Sequence, residues 1–286
     1  MTGLIADEVS WINRRDSRTK TKYNYDENIT ANVIIKGYNR NESAGLSIIF
    51  SEARDAMKRS HINQLIEQAC GYFAAINFRL PPFAFWSPQF WQTVGVEADE
   101  IRMNGLGWDV TDYGLGQFDT IGLLLFTIRN GNFSHRQIYP KGYAEKVMVV
   151  GEKQVTPWHY HWNKREDIIN RGGGNLVIEL HRAGDDNSLS GQKVSVSIDG
   201  VRRVVEPGGM VILAPGESIC LEPCVYHTFY GEAHKGTVIV GEVSDVNDDQ
   251  NDNCFLEKLG RFPDIEEDEA PLHLLCTEYP LADTVR

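Results

Sequence analysis

Three histidines and a glutamate are spaced as the ligands of a metal ion would be. His159 and His161 stand two residues apart in the segment TPWHYHW, and on a β-strand such residues project from the same face. Glu166 can return after a turn and offer a carboxylate oxygen, and His227, just before another apolar run, is the candidate third histidine. Imidazoles with a carboxylate suit Mn²⁺, Fe²⁺, Zn²⁺, Ni²⁺ or Co²⁺. Because four protein ligands on an octahedral ion leave positions for a substrate, the pattern predicts a catalytic metal centre.

A His-X-His pair alone is often only two surface histidines, and flanking glycines strengthen the metal interpretation here. Gly173 follows Glu166 after six residues, so the chain meets the pattern HxHx4Ex6G, which resembles the first part of the two-part cupin signature. The second part departs from the signature, because eleven residues, more than usual, separate Pro215 from His227. His234, in a glycine-flanked turn, is the nearby rival for the third histidine. The resemblance implies a small β-barrel that holds a metal on three histidines and a glutamate.

From Gly107 onward the sequence is typical of a β-protein. Short apolar and β-branched runs alternate with turn signals and have no helices between them, which favours a sandwich or barrel. Asp199-Gly200 predicts a hairpin over residues 196–205. We expect a mainly-β fold, with a jelly-roll-like cupin barrel over about 106–286. The predicted strands are Gly122–Ile128, Lys146–Val150, Asn175–His181, Val194–Ile198, Met210–Leu213, Thr237–Val243 and a C-terminal Leu272–Cys276.

The segment before the barrel is expected to be a helical elaboration over residues 51–105. An apolar stripe at steps of three and four residues predicts an amphipathic helix of roughly six turns, with Ser51 as its N-cap and its end at Leu80. The aromatic cluster from Phe83 to Trp91 favours packing in the core or at a subunit interface. Residues 1–50 form a polar extension to which the sequence assigns no role. The stripe consists of Ile62, Leu65, Ile66, Ala69 and Phe73.

The charge balance excludes one class of partner. Lys and Arg number 28 against 40 Asp and Glu, and the net charge of −12 repels nucleic acid. The N-terminus lacks a secretion signal pattern, and no apolar run approaches the ~18 residues that span a bilayer, so we expect a cytoplasmic protein outside the membrane. The 5 cysteines are too few and too scattered for a disulfide framework. Much of the acidic excess lies between Glu242 and Glu269.

Beyond the metal motif, long stretches resemble the D-lyxose isomerase family of cupin sugar isomerases. The resemblance runs from about Met57 to the end of the chain. It is carried by Met57–Ser60, Leu80–Ala84, Leu106–Thr111, Leu125–Gly131, Lys164–Ile168, Arg171–Leu176, Pro215–Ile219, Gly241–Ser244, Asn247–Asp249 and Gly260–Phe262.

The resemblance implies an aldose–ketose isomerase that acts on a free monosaccharide. The expected reactions are D-lyxose to D-xylulose and D-mannose to D-fructose, with one divalent ion, usually manganese. Such an ion, held by His159, His161, Glu166 and His227, would act as a Lewis acid on O1 and O2, while a base moves a proton between C2 and C1. The sequence leaves the base open, with Glu242 and Lys164 as candidates for catalytic roles.

Four residues are candidate sugar contacts. Asp249, Asp252 and Arg261 lie in stretches shared with the family, and Trp158 could stack on a sugar face. On this interpretation the acidic stretch divides: residues 242–252 belong to a sugar-binding wall, and Asp264–Glu269 is a solvated run.

Two other functions stay open at this point, a cupin Fe²⁺ dioxygenase and a sugar-binding protein without catalysis. The dioxygenase predicts an iron requirement and an apolar or thiol substrate cavity. The sugar-binding protein predicts saturable binding without turnover. We expect a homodimer, from the aromatic cluster and from the family.

Overall fold

The computed structural model describes residues 21–25, 29–33, 56–249 and 251–282. Contacts within the chain divide it into two units, Met1–Arg54 and Asp55–Arg286. In the first unit, β1 (Thr21–Tyr25) and β2 (Ile29–Val33) form an antiparallel hairpin.

The second unit begins with helices and continues as strands. The helices are α1 Arg59–Ala75, α2 Pro88–Trp91 and α3 Asp99–Met103, with 3-10 turns at Pro82–Phe85 and Val96–Ala98. The strands are β3 Met57–Lys58, β4 Gly107–Thr111, β5 Leu123–Arg129, β6 Tyr143–Val150, β7 Thr156–His161, β8 Glu166–Gly173, β9 Leu176–Ala183, β10 Leu189–Ser190, β11 Val194–Ile198, β12 Val201–Val205, β13 Gly209–Leu213, β14 Ser218–Leu221, β15 Val225–Gly231, β16 Val238–Asp245, β17 Asn253–Phe255 and β18 Ile265–Glu266.

Two antiparallel sheets form the barrel. The larger has the strand order β12-β11-β14-β8-β16-β6-β5-β4, and the smaller has the order β10-β9-β15-β7-β17 with β13 also paired to β9. Side chains from both sheets, such as Met148 and Ile168 from the larger and Leu180 and Phe229 from the smaller, form one buried apolar cluster between them. The predicted mainly-β cupin barrel with an N-terminal helix is confirmed, and the hairpin at Asp199-Gly200 is the β11–β12 pair.

The pleat of the larger sheet separates its two faces. On β6, Met148 packs in the barrel interior while Val147 packs against the helical segment. On β16, Val240 likewise packs in the interior and Ile239 against the helical segment. Since side chains alternate between faces, polar residues in phase with the interior set must point into the barrel. Glu242 on β16 is one such residue.

Helix α1 covers the outer face of the larger sheet. The predicted stripe is its buried side, where Ile62, Ile66 and Phe73 pack with Trp108 and Phe126.

The predicted limits of the helix are wrong. It begins at Arg59 because Met57 and Lys58 are extended and pair with β18, and Ser51 lies outside the described residues. It ends at Ala75, ahead of the prolines, where Asn77 adopts a left-handed φ of 59° that a right-handed helix cannot continue.

The acidic run Asp264–Glu269 is largely exposed, as a solvated run would be, but it also binds helix α1. Glu267 forms an ion pair with the buried Arg59 guanidinium at 2.7 Å. Asp268 accepts hydrogen bonds from the backbone N–H of Ser60 at 2.8 Å and from its hydroxyl at 2.6 Å. These carboxylates lie at the helix N-terminus, where unsatisfied N–H groups and the helix dipole favour negative charge.

The C-terminal segment Leu272–Cys276 is not a strand. Leu275 makes a single bridge with Trp108, and the backbone N–H of Leu272 donates to the Asn63 side chain instead of to a neighbouring strand. In the described part of the chain, no helix is long and apolar enough to cross a membrane.

Candidate active site

The predicted metal ligands converge inside the barrel. His159 and His161 lie on β7, and β15 pairs with β7 so that His227 stands directly opposite His159. One ring nitrogen from each of the three histidines lies within 4.8 Å of the others. Glu166, the first residue of β8, reaches the cluster from the facing sheet, and its Oε1 is 3.1 Å from His227 Nε2 and 3.3 Å from His161 Nε2. The four residues selected by their spacing in the sequence therefore lie together in the structure.

Backbone contacts fix the orientation of two of the imidazoles. His159 Nδ1 lies 2.8 Å from the carbonyl oxygen of Pro157, and His227 Nδ1 lies 3.0 Å from that of Val225. Because a carbonyl can only accept, each Nδ1 carries the proton and each Nε2 keeps its lone pair. Burial, followed by the neighbouring His227 and His161, holds the pKa of His159 well below its ordinary value. Neutral imidazoles of this kind are the form that binds metals.

Unpartnered buried atoms support a cation site. Among the described residues, Glu166 Oε1 and His227 Nε2 are both buried and have no hydrogen-bond partner in acceptable geometry. Two buried polar atoms without partners are costly unless something else binds both. Although burial raises the pKa of Glu166, Lys164 and His161 outweigh it and hold that pKa well below the usual range. An ionised carboxylate beside three histidines is consistent with a divalent metal site.

His234, the alternative candidate for the third histidine, lies outside the cluster. His234 is exposed, has a left-handed φ of 63°, and its backbone N–H donates to the Glu152 carboxylate. His227 is therefore the third histidine of the cluster.

A series of connected, buried ion pairs lies next to the histidines. Lys164 Nζ bridges Glu166 Oε2 at 2.8 Å and Glu242 Oε1 at 2.9 Å. Lys146 Nζ lies 3.2 Å from Glu242 Oε1 and donates to Asn247 Oδ1 at 2.6 Å. Burial raises the pKa of Glu242, but Lys146 and then Lys164 outweigh it and lower that pKa below its ordinary value. Glu242 is therefore an ionised carboxylate held beside the cluster by two ammonium groups.

These residues line a cavity of about 70 Å³, which we call the inner cavity. Asp249 and Arg261 form part of its wall, and Arg261 donates to both Asp249, at 3.2 Å, and the buried Asp109. Burial opposes ionisation of Asp249, yet Lys146 and Arg261 depress its pKa far below the ordinary value. Polar groups of both signs thus line the cavity together with the histidines.

Two predicted sugar contacts lie outside the inner cavity. Trp158 directly precedes the candidate ligand His159 on β7, so the strand pleat turns it to the opposite face, where it packs edge-on against His181 with ring centroids 5.4 Å apart. Asp252 is buried under the loop after β7. Its carboxylate accepts the backbone N–H groups of Asn163 at 2.8 Å and Lys164 at 3.0 Å. Asp252 therefore positions the lysine-bearing loop.

Sequence reasoning missed several residues of the cavity. Lys146 is the most informative, because it is a charged residue within β6 and is in phase with the interior residue Met148. This alternation along the strand could have identified Lys146 from the sequence. Tyr113 also lines the cavity, with a left-handed φ of 55°, and no local pattern in the sequence marks it.

With this geometry in place, comparison with known proteins decides the family. The sequence profile of the D-lyxose isomerase family matches residues 57–279. The chain belongs to this family. It is 53% identical over 224 residues to a D-lyxose/D-mannose isomerase of Serratia proteamaculans, covering 78% of this chain and 98% of the relative. It is 49% identical over 224 residues to a D-lyxose/D-mannose isomerase of Escherichia coli O157:H7, with the same coverage.

Solved structures agree on the fold. L-ribose isomerases of Geodermatophilus obscurus and of Cellulomonas parahominis each superpose with a TM-score of 0.50 at 16% identity, over 75% of this chain and 100% of theirs. At that identity the likeness concerns the fold alone. Family membership makes the protein an aldose–ketose isomerase, which decides against the dioxygenase and the non-catalytic sugar-binding protein.

Proposed function

We propose that the enzyme interconverts D-lyxose with D-xylulose and D-mannose with D-fructose. It would use one divalent metal ion, and Mn²⁺ is the ion that we expect it to prefer. The names of the two relatives support this choice of sugars. The observation that carries the mechanism is the position of Glu242, an ionised carboxylate in the same small cavity as the histidine cluster.

His159, His161, Glu166 and His227 would hold the metal. Their neutral imidazoles and single carboxylate suit Mn²⁺ as well as Zn²⁺, Co²⁺, Fe²⁺ or Ni²⁺. When bound, the ion supplies Lewis-acid polarisation of the sugar oxygens at C1 and C2, which makes the C2 proton more acidic.

Glu242 is the proposed base. Its carboxylate removes the proton from C2 of the open-chain aldose and returns it to C1 on the same face. Lys164, which donates to both Glu166 and Glu242, keeps the two carboxylates ionised and apart, and its ammonium can hold a sugar oxygen during the transfer. Asp249 and Arg261 are the proposed contacts of the distal hydroxyls.

The charge pattern supports a neutral sugar over a sugar phosphate. Each cationic side chain of the inner cavity already has a carboxylate partner: Lys164 and Lys146 contact Glu242, and Arg261 contacts Asp249. A phosphate would have to displace one of these carboxylates.

The test is an isomerisation assay with metal-loaded enzyme on D-lyxose, D-mannose and D-mannose 6-phosphate. We expect ketose from the two free sugars and little from the phosphate. No ketose from either free sugar would refute the proposal, and faster turnover of the phosphate would refute the argument from charge pairing.

We also propose that the enzyme is a cytoplasmic homodimer. All five cysteines are free thiols, which suits a reducing compartment. Phe85 and Phe90, from the aromatic segment before the barrel, are exposed and offer apolar surface to a second copy. Light scattering after gel filtration should give twice the chain mass of 32.3 kDa, and a monomer at all concentrations would contradict the dimer.

A further inference from the structure

A second, larger cavity lies beyond the inner one. It has a volume of about 750 Å³, within the range of roughly 300–1,000 Å³ typical of ligand pockets. We call it the outer cavity. Four residues line both cavities, namely Asp249, Asn253, Phe255 and Arg261. The two cavities therefore meet at these side chains.

The inner cavity holds no more than one sugar unit. Its volume of about 70 Å³ has room for roughly five water molecules, which is about the space that a single monosaccharide takes up. With C1 and C2 beside the histidines and Glu242, distal carbons near Asp249 and Arg261 lie where the two cavities meet. A substituent on a distal hydroxyl would then extend into the outer cavity.

The outer cavity has the chemistry of a carbohydrate site. Its lining includes six asparagines and three aspartates with a single arginine, which are donors and acceptors suited to hydroxyl groups. Two phenylalanines of the lining are unusually accessible, Phe133 at 52% and Phe262 at 48% exposure. These rings offer apolar surface at the cavity wall, and the apolar C–H face of a pyranose packs well on such a ring. The Arg261 guanidinium lies 4.8 Å from the Phe262 ring centre, so that ring is held in place.

We propose that the outer cavity binds a second sugar unit, so that the enzyme isomerises the reducing end of disaccharides linked through a distal hydroxyl. This rests on the proposed function, because it uses the same reaction. The reducing unit opens, its C2–H bond breaks and a C1–H bond forms, so C2 is oxidised as C1 is reduced. The glycosidic bond is unchanged, and no other reactant is needed.

The experiment compares D-mannose with β-1,4-linked and 1,6-linked mannobiose. Metal-loaded enzyme should convert at least one mannobiose to the corresponding mannosyl-fructose, detected by chromatography of the intact disaccharide. Phe133→Ala should lower kcat/KM for that disaccharide by roughly three- to tenfold, with D-mannose turnover as the internal reference. Tyr143→Ala is the matched control, since Tyr143 is an aromatic residue with 47% exposure that does not line the cavity.

The outcomes separate the two proposals. If D-mannose is converted and neither mannobiose is, the outer cavity does not serve a second sugar. If Phe133→Ala lowers turnover of D-mannose and mannobiose equally, or Tyr143→Ala acts as strongly on mannobiose, the assignment of the second sugar to this cavity is wrong. Absence of ketose from D-mannose itself would refute the underlying function instead.

Discussion

Replacing Glu242 with glutamine removes the proposed base with little change in shape. The amide oxygen can still accept from Lys164 and from the Ser244 hydroxyl, which lie 2.9 and 3.0 Å from Oε1. What is lost is the negative charge and the ability to take up a proton. The metal cluster is made by other residues, so the variant should still bind its ion.

The expected loss follows from what surrounds the carboxylate. General-base catalysis contributes about 10²–10⁴-fold, or about 3–5 kcal/mol of transition-state stabilisation, so we expect kcat to fall by that factor. Lys164 keeps Glu166 at 2.8 Å and Lys146 keeps Asn247 at 2.6 Å. Because each lysine retains a partner, the free energy of unfolding should fall by only about 1.5–3 kcal/mol, the value of a hydrogen bond to a charged group.

The assay measures ketose formation at saturating sugar together with bound metal by mass spectrometry. Glu222→Gln is the matched control, because Glu222 is a half-exposed carboxylate paired with Arg165 at 2.6 Å. That variant should keep both activity and metal. If Glu242→Gln, fully loaded with metal, stays within about threefold of the unchanged enzyme, Glu242 is not the base.

Three further predictions concern neighbouring residues. Lys146→Gln removes the positive charge that contributes most to depressing the pKa of Glu242, so that pKa should rise and the acid limb of the kcat–pH profile should move to higher pH; an unmoved limb would contradict the role of Lys146. Asp252→Ala leaves two backbone N–H groups of the Lys164 loop unpaired, so chemical denaturation should show a loss of about 2–3 kcal/mol and kcat should fall with metal retained; unchanged kcat would mean that the loop holds its position without Asp252. Trp158→Ala should leave KM for D-lyxose unchanged, because the indole faces away from the inner cavity, and a large rise in KM would show that it binds sugar after all.

The metal ligands could be predicted because a strand has a period of two. That period places His159 and His161 on one face whatever the rest of the fold does. The same rule sends Trp158 to the other face, so its assignment to the sugar could have been rejected from the sequence. The sequence places His227 just before an apolar run, whereas in the structure His227 lies within β15, and this strand itself pairs with β7.

Long-range contacts decide what the sequence left open. Helix α1 begins at Arg59 because Met57 and Lys58 pair with β18, which is more than two hundred residues away in sequence. The Arg59 guanidinium binds Glu267 and Glu278 from the same distant region, and a local capping rule cannot anticipate such partners. The acids of the 264–269 run bind that helix for the same reason. Lys146 meets Glu242 only because β6 pairs with β16, and Asp252 reaches the β7–β8 loop only through contacts that are distant in sequence.

The most direct test of the central claim is a metal titration of turnover. Metal-free enzyme is titrated with Mn²⁺ while D-xylulose formed from D-lyxose and the bound ion are measured together. We expect turnover to rise in proportion to bound metal and to level off at one ion per chain, and His227→Ala to show neither binding nor turnover. Full turnover by metal-free enzyme, or metal-saturated enzyme that forms no ketose, would contradict a metal-dependent isomerase at this site.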